Sequence, residues 1–258
     1  MERLRNQKNT GLNGNALRPG GLLFLATGTI GRGIIQKQLL GVGQITAQQM
    51  LDAMSNSQGT MILVTLSLVL QALETCAAPI FALLLVEGFQ HTSDFMRYLT
   101  RVLGLAVLCE IPYNLAVGSG ILDWTSRNPV FCMVLGLIQL YFYQRYAEKS
   151  LQNTLIKAVV TIAAVIWGEM LKIEFGSCMV LVIAVLWAFR KKPLYRNFAG
   201  ATVTIVCSLM SPFFLAAPMG FLAVHFYNGE RGEENRLVNY LAYPAMLLIA
   251  GLLGIFLF

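Results

Sequence analysis

Charge is what this sequence lacks most. Of its 258 residues only 12% are charged, against 56% hydrophobic. A soluble domain carries about 25% charged residues. The deficit is twofold, and it cannot cover a globular surface of this size with polar groups. A water-soluble enzyme, a disordered chain and a nucleic-acid-binding domain are excluded as classes. The net charge of +6 would suit nucleic acid, but in a membrane protein excess Lys and Arg gather in cytoplasmic loops. Histidine is also scarce, with two in the chain. The five cysteines (Cys76, Cys109, Cys132, Cys178 and Cys207) form no C-x-x-C pair, and all lie in apolar stretches. Disulfides and zinc are not expected, and no metal site is assigned. The soluble-enzyme motifs are missing too: no G-x-S-x-G, no P-loop, no H-E-x-x-H. Gly28, Gly31 and Gly33 fall inside an apolar stretch, where close helix packing explains them better than phosphate binding.

What is present is a series of long apolar segments. A spanning helix needs roughly 20 residues, fewer when packed among others. Residues 1–20 form a basic tail with Arg3, Arg5, Lys8 and Arg18. The first apolar stretch, 21–35, reads as an uncleaved span rather than a signal peptide. Thr46 and Gln49 form a capping box, flanked by Ile45 and Met50 as a staple, and mark a short surface helix. The stretch 61–89 is too long for one perpendicular helix and holds Glu74 and Pro79, so a kinked span is expected. Further spans fall near 99–117, 129–146, 153–171 and 175–190. Residues 197–229 carry no Asp, Glu, Lys or Arg and read as a hairpin turning near 211–217. The last span starts near 237. The fold class is an all-α polytopic membrane protein of about nine transmembrane helices, with eight as the alternative count. It forms a single membrane domain over 21–258. With the N-terminus cytoplasmic, fifteen of the 19 Lys and Arg residues fall inside, and Arg32, Lys37, Arg127 and Lys172 fall outside.

Ionisable residues inside spans mark function by default. Glu87 and His91 stand four apart, which puts both on one helix face. A carboxylate beside an imidazole orients it and raises its basicity, which suits proton transfer. The alternative is a helix-end pair at the surface. Glu110 lies in mid-span two residues before Pro112, as a base or as a structural glutamate bonded to Arg101 or a neighbouring helix. Glu74 is a similar orphan that could face Arg32. Glu169, Lys172 and Glu174 read as a solvated loop with Glu169 paired to Lys172. His225 reads as packing or an interface residue. Arg190, Lys191 and Lys192 either fix topology or bind the phosphates of a cofactor.

Four segments together carry a resemblance. They are Ala78-Pro79-Ile80-Phe81 running on through Glu87-Gly88-Phe89-Gln90-His91-Thr92; Cys109-Glu110-Ile111-Pro112-Tyr113-Asn114; Asn128-Pro129-Val130-Phe131; and Tyr227-Asn228-Gly229-Glu230-Arg231-Gly232 followed by Tyr243-Pro244. In order and spacing this chain resembles the TraX family of integral membrane proteins. The resemblance implies an acyltransferase-like fold in a bacterial plasma membrane. The family is named for acetylating the N-terminus of a conjugative pilin. Acetyl-CoA or another acyl-CoA would be the co-substrate, and a protein or glycan the acceptor. No nucleic acid is implied, and association with another membrane subunit is an open expectation. The implied catalytic candidates are Glu87, His91 and Glu110. The implied substrate-binding candidates are Asn114, Asn128, Arg97, Arg101, Lys191, Lys192 and Arg231. The chain departs from the pattern at telling places. Gly28-Thr29 stand where the family carries an Asp-His pair, Met246 where it carries a histidine, and Asn114 where it carries an aspartate. Losing a general base costs about 10² to 10⁴ in rate. A catalytically degenerate member that acts as a binding or assembly subunit is therefore the rival reading.

Overall fold

The computed structural model describes residues 11–41, 58–230, 232 and 236–257. Arg3, Arg5, Lys8, the capping box at Thr46 and Gln49, and Arg231 lie outside the described residues. The described residues form helices joined by loops, with no β-strand among them. Helix α1 runs over Gly14–Thr29 and continues as a wider, π-helical stretch over Ile30–Leu39. The others are α2 (Gln58–Glu74), α3 (Ala77–Gln90), α4 (Phe95–Ala116), α5 (Val130–Arg145), α6 (Leu151–Met170), α7 (Gly176–Ala188), α8 (Pro193–Cys207), α9 (Gly220–His225) and α10 (Arg236–Leu257). Two 3₁₀ turns, Pro212–Leu215 and Ala217–Met219, precede α9. The first helix begins at Gly14, earlier than the expected 21, so Arg18 belongs to it.

With α2 and α3 taken as one broken rod and 212–225 as another, nine helical segments cross the described bundle. Four of them are long and apolar enough to span a bilayer unaided: Gln58–Gln90, Phe95–Ala116, Leu151–Met170 and Val238–Phe256. The expected kink is a break at Thr75 and Cys76. Pro79 sits in the first turn of α3, where its missing N–H costs no helical bond. The expected hairpin at 211–217 is the pair of 3₁₀ turns.

The layering follows from which helices are apolar all round. Helices α3 and α7 are buried over nearly every turn and form the centre. The others surround them. Helix α6 buries only Ala164 and Gly168 and turns Leu155, Val159, Ile162 and Ile166 outward. Helix α4 does the same with Leu103, Val107 and Ile111. Such faces are stable only against lipid. All five cysteines are buried inside.

Small residues set the closest approaches. A Cβ at Gly31 would meet the Ser67 carbonyl at 2.8 Å, and one at Gly33 the Ala116 carbonyl at 2.5 Å. Where α6 meets α7, a Cβ at Gly168 would lie 3.1 Å from the Gly176 backbone, and one at Gly176 equally close to Gly168. At about 1.5 Å rise per residue, α4 is about 33 Å long and α7 about 20 Å. Helix α7 therefore stops part-way, and the segments before α5 and α7 fold into the bundle. There Arg127 and Ile173 pair as a short β-bridge, with Arg127 N–H donating to the Lys172 carbonyl (2.9 Å) and Glu174 N–H to the Arg127 carbonyl (3.0 Å). At the opposite end Leu12 pairs with Tyr227.

Replacing Gly168 by leucine is expected to push α6 off α7 and cost about 1–3 kcal/mol. A lowered thermal midpoint in detergent checks this. Gly104→Ala, where no atom lies within 4 Å of the added carbon, leaves the midpoint unchanged or raised.

Candidate functional site

The bundle encloses a cavity of about 690 Å³, within the usual range for ligand pockets. Its walls come from α1, α3, α4 and α10, with the starts of α5 and α7 at the inner end. Arg18, Glu87, His91, Asp94, Arg97 and Arg101 line the mouth. Leu25, Phe81, Leu85, Leu105, Met133 and Met179 line the interior. Polar entrance and apolar depth suit an amphiphile with an anionic head.

Local structure sets the mouth. Helix α3 ends at Gln90, and His91 caps it. His91 Nδ1 lies 2.8 Å from the Glu87 carbonyl. A carbonyl only accepts, so Nδ1 carries the proton and Nε2 keeps a free lone pair. The Glu87 carboxylate stands 3.8 Å from the same ring nitrogen. The expected i, i+4 pair is present, and the imidazole is 69% exposed, within reach of water at the mouth. Asp94 caps α4 by accepting from Arg97 N–H (3.0 Å), and its carboxylate lies 3.4 Å from Arg97 Nε. The turn between helices thereby fixes His91 and Arg97 on one rim. Across it, α10 offers Asn239, whose Nδ2 is shut off from solvent without a partner among the described residues.

A second polar centre lies deeper. Arg32 Nη2 donates to both oxygens of Glu74 at 2.7 Å, which realises the suspected pair. Arg32 Nη1 also contacts Glu174. Tyr113 hydroxyl donates to Glu174 Oε2 (3.1 Å) and touches Ser126 Oγ (3.1 Å). The expected solvated loop is thus corrected. Glu174 points inward with its side chain 8% exposed. Glu169 turns its carboxylate to Ser177 N–H (3.4 Å) rather than to Lys172. Lys172 and Phe175 take positive φ values of 52° and 63°, which costs about 1–2 kcal/mol each and turns Glu174 into the bundle. Glu110 finds a partner other than Arg101: Arg127 Nη1 donates to it at 2.6 Å and Asn128 Nδ2 at 2.6 Å.

Other sequence candidates stand apart. Glu110, Asn114 and Asn128 do not line the cavity. Asn114 Nδ2 donates to the Ile121 carbonyl (3.3 Å) and closes the loop at 117–129. Lys191 and Lys192 sit on an exposed turn outside the cavity, with Lys192 over the Tyr195 ring. His225 is exposed, and its Nδ1 lies 3.5 Å from Asn197 Nδ2. Arg18, Asn239 and Tyr243 were missed as site residues. Arg18 had a signal, a lone cation just before an apolar run; Asn239 had one as an amide in the first turn of an apolar helix.

A family model described as TraX protein matches residues 50–254. The chain belongs to the TraX family. A relative from Dichelobacter nodosus, named Probable fimbrial assembly protein FimC, serogroup H1, is 24% identical over 195 residues, covering 66% of this chain and 77% of the relative. No solved structure matches. Thr29, Gly28 and Met246 have structural roles in the bundle. Thr29 is 3% exposed, and its hydroxyl donates to the Leu25 carbonyl (3.0 Å), which occupies it within its own helix. A side chain at Gly28 has no room, because its Cβ would lie 1.7 Å from Glu74 Oε2. Met246 packs against the core and does not line the cavity.

Gly28→Val is expected to drive Glu74 off Arg32 and cost about 3 kcal/mol, as a broken buried ion pair does; thermal unfolding in detergent reads it. A pH effect follows from the 117–129 loop. The N–H groups of Ser119 (2.6 Å) and Thr125 (2.8 Å), with the Ser119 hydroxyl, donate to Asp123 and hold its carboxyl well below the usual range. A depressed carboxyl stabilises above its unfolded value of about 3.9 and loses that contribution as pH falls. Trp124 fluorescence in a Trp167→Phe/Trp187→Phe background should therefore stay constant from pH 8 to about 5 and change on further acidification. In Asp123→Asn that step should be absent.

Proposed function

We propose that this chain is a membrane acyltransferase of the bacterial plasma membrane, with nine spans and a cytoplasmic N-terminus. It takes an acyl group from acetyl-CoA or another acyl-CoA and passes it to a protein or glycan acceptor at the membrane. The observation that carries the reading is the cavity, whose basic mouth holds the Glu87–His91 pair. Arg18, Arg97 and Arg101 meet the CoA phosphates as charge-assisted donors. Asn239 Nδ2 donates to an amide carbonyl of the pantetheine arm, which runs into the apolar interior. His91 Nε2 removes the proton from the acceptor hydroxyl or amine. The acceptor attacks the thioester carbon, the C–S bond breaks, and CoA leaves as the thiol after taking the proton from the imidazolium. Glu87 stabilises the imidazolium in between. The name of the Dichelobacter nodosus relative supports a fimbrial subunit as acceptor.

A second reading has its own support: a binding or assembly subunit that keeps the fold without turnover. The buried, internally bonded Thr29 and the absent side chain at Gly28 favour it.

CoA release by the purified protein in nanodiscs separates the two. Turnover is expected to fall by about 10² to 10⁴ in His91→Ala. Arg97→Ala and Arg101→Ala are expected to raise KM about tenfold each, as loss of one charged hydrogen bond does. A folded protein that binds CoA and releases none identifies the binding subunit.

A further inference from the structure

Two carboxyl groups meet one guanidinium in the interior. Arg32 Nη2 lies 2.7 Å from both Glu74 oxygens, and Nη1 contacts Glu174. The neighbouring cations are already engaged. Arg127 donates to Glu110 (2.6 Å), Lys37 Nζ donates to the Leu115 carbonyl (2.9 Å), and Lys172 is exposed. The remaining groups facing the pair are neutral or carry no positive charge. Helix α4 supplies Tyr113 and Cys109, α10 supplies Tyr243, the 117–129 loop supplies Ser126, α5 supplies Cys132, and Glu169 of α6 is exposed and turned to Ser177. With every acid ionised, Arg32, Glu74 and Glu174 hold one negative charge too many. An uncompensated charge is expensive where water is excluded. Arginine does not give up its proton. Two carboxyls crowded at one site therefore titrate as a pair and keep one proton between them.

The pair adjoins the cavity. Phe175, next to Glu174, and Tyr243, within electrostatic reach of Arg32 and Glu74, both line it. Arg32 Nε is shut off from solvent without a partner among the described residues, so the site holds a spare donor. A buried donor without a partner is rare in a folded protein.

We propose that Glu74 and Glu174 share one proton across Arg32 at neutral pH and form a buried acid site beside the inner end of the cavity. The site binds one proton, which passes to neither carboxyl exclusively. This goes beyond the acyl-transfer reading and does not depend on it.

Infrared spectroscopy of the protein in nanodiscs at pH 7 tests it. The wild type should show a protonated-carboxyl stretch that shifts in D₂O. Glu74→Gln and Glu174→Gln should each abolish it, because either leaves one carboxylate for one guanidinium. Glu169→Gln, at the exposed end of α6, should retain it. A wild-type spectrum without the band overturns the proposal whether or not the variants fold. A band that survives both substitutions overturns the assignment, and a band lost in only one overturns the sharing.

Discussion

The ion pairs of Arg32 are the constraint on which the rest of the bundle depends. In a sheath of lipid-facing leucine, isoleucine and valine, a guanidinium must be answered by the protein itself. Arg32 is answered from two directions, by the last residue of α2 and by the residue before Phe175 at the start of α7. That single demand fixes several features at once. It requires α2 to end beside α1, so that the Glu74 carboxylate can lie in the groove left by Gly28. It requires the 171–175 segment to fold inward, at the expense of two left-handed residues. It also brings the 117–129 loop in, because that loop is paired with 171–175 through the bridge at Arg127 and Ile173.

The break between α2 and α3 has a second consequence. A continuous rod over 58–90 would carry one face past α1 along its whole length. The break lets α3 take the centre of the bundle while α2 stays with α1. Helix α3 then ends at the rim, with His91 as its cap and Glu87 one turn below. The cavity lies between this central helix and the ring of α1, α4 and α10. Two polar zones follow, one at the mouth and one at mid-depth, joined by the apolar interior. The mouth is wet and carries the exposed Arg97 and Arg101, with Asp94 beside Arg97. The inner zone is closed, and there almost every charge is bound to another.

How much of this is legible in the sequence differs by kind of evidence. The apolar segments, the break near Glu74 and the hairpin near 211–217 follow from length, proline and charge, because these act locally along the chain. The Glu87–His91 pair follows from helical spacing, and the facing of Glu74 and Arg32 from the absence of other partners at that depth. Glu174 does not follow. Its neighbours Glu169 and Lys172 make the segment look like a wet loop, and only the shortness of α7 shows that this loop lies inside. Glu110 illustrates the same limit: its partner Arg127 is seventeen residues away in a loop whose depth no periodicity reveals. The cavity is the least legible of all. Its wall is assembled from six helices, so Arg18 and Asn239 gain meaning only when α1 and α10 stand on either side of the same space.

The distribution of satisfied and open groups bears most directly on chemistry. Membership of the TraX family does not by itself carry an activity to this chain. In this chain Thr29 is spent on its own helix, and Glu110 on Arg127 and Asn128. A group that already makes strong hydrogen bonds to charged partners is a poor base, because accepting a proton would break them. His91 differs: one ring nitrogen is tied to the Glu87 carbonyl, and the ring stands at the cavity mouth beside a carboxylate and within reach of water. The Glu74 carboxylate fills the space beside Gly28, so the imidazole that lines the cavity stands at the rim rather than in the core.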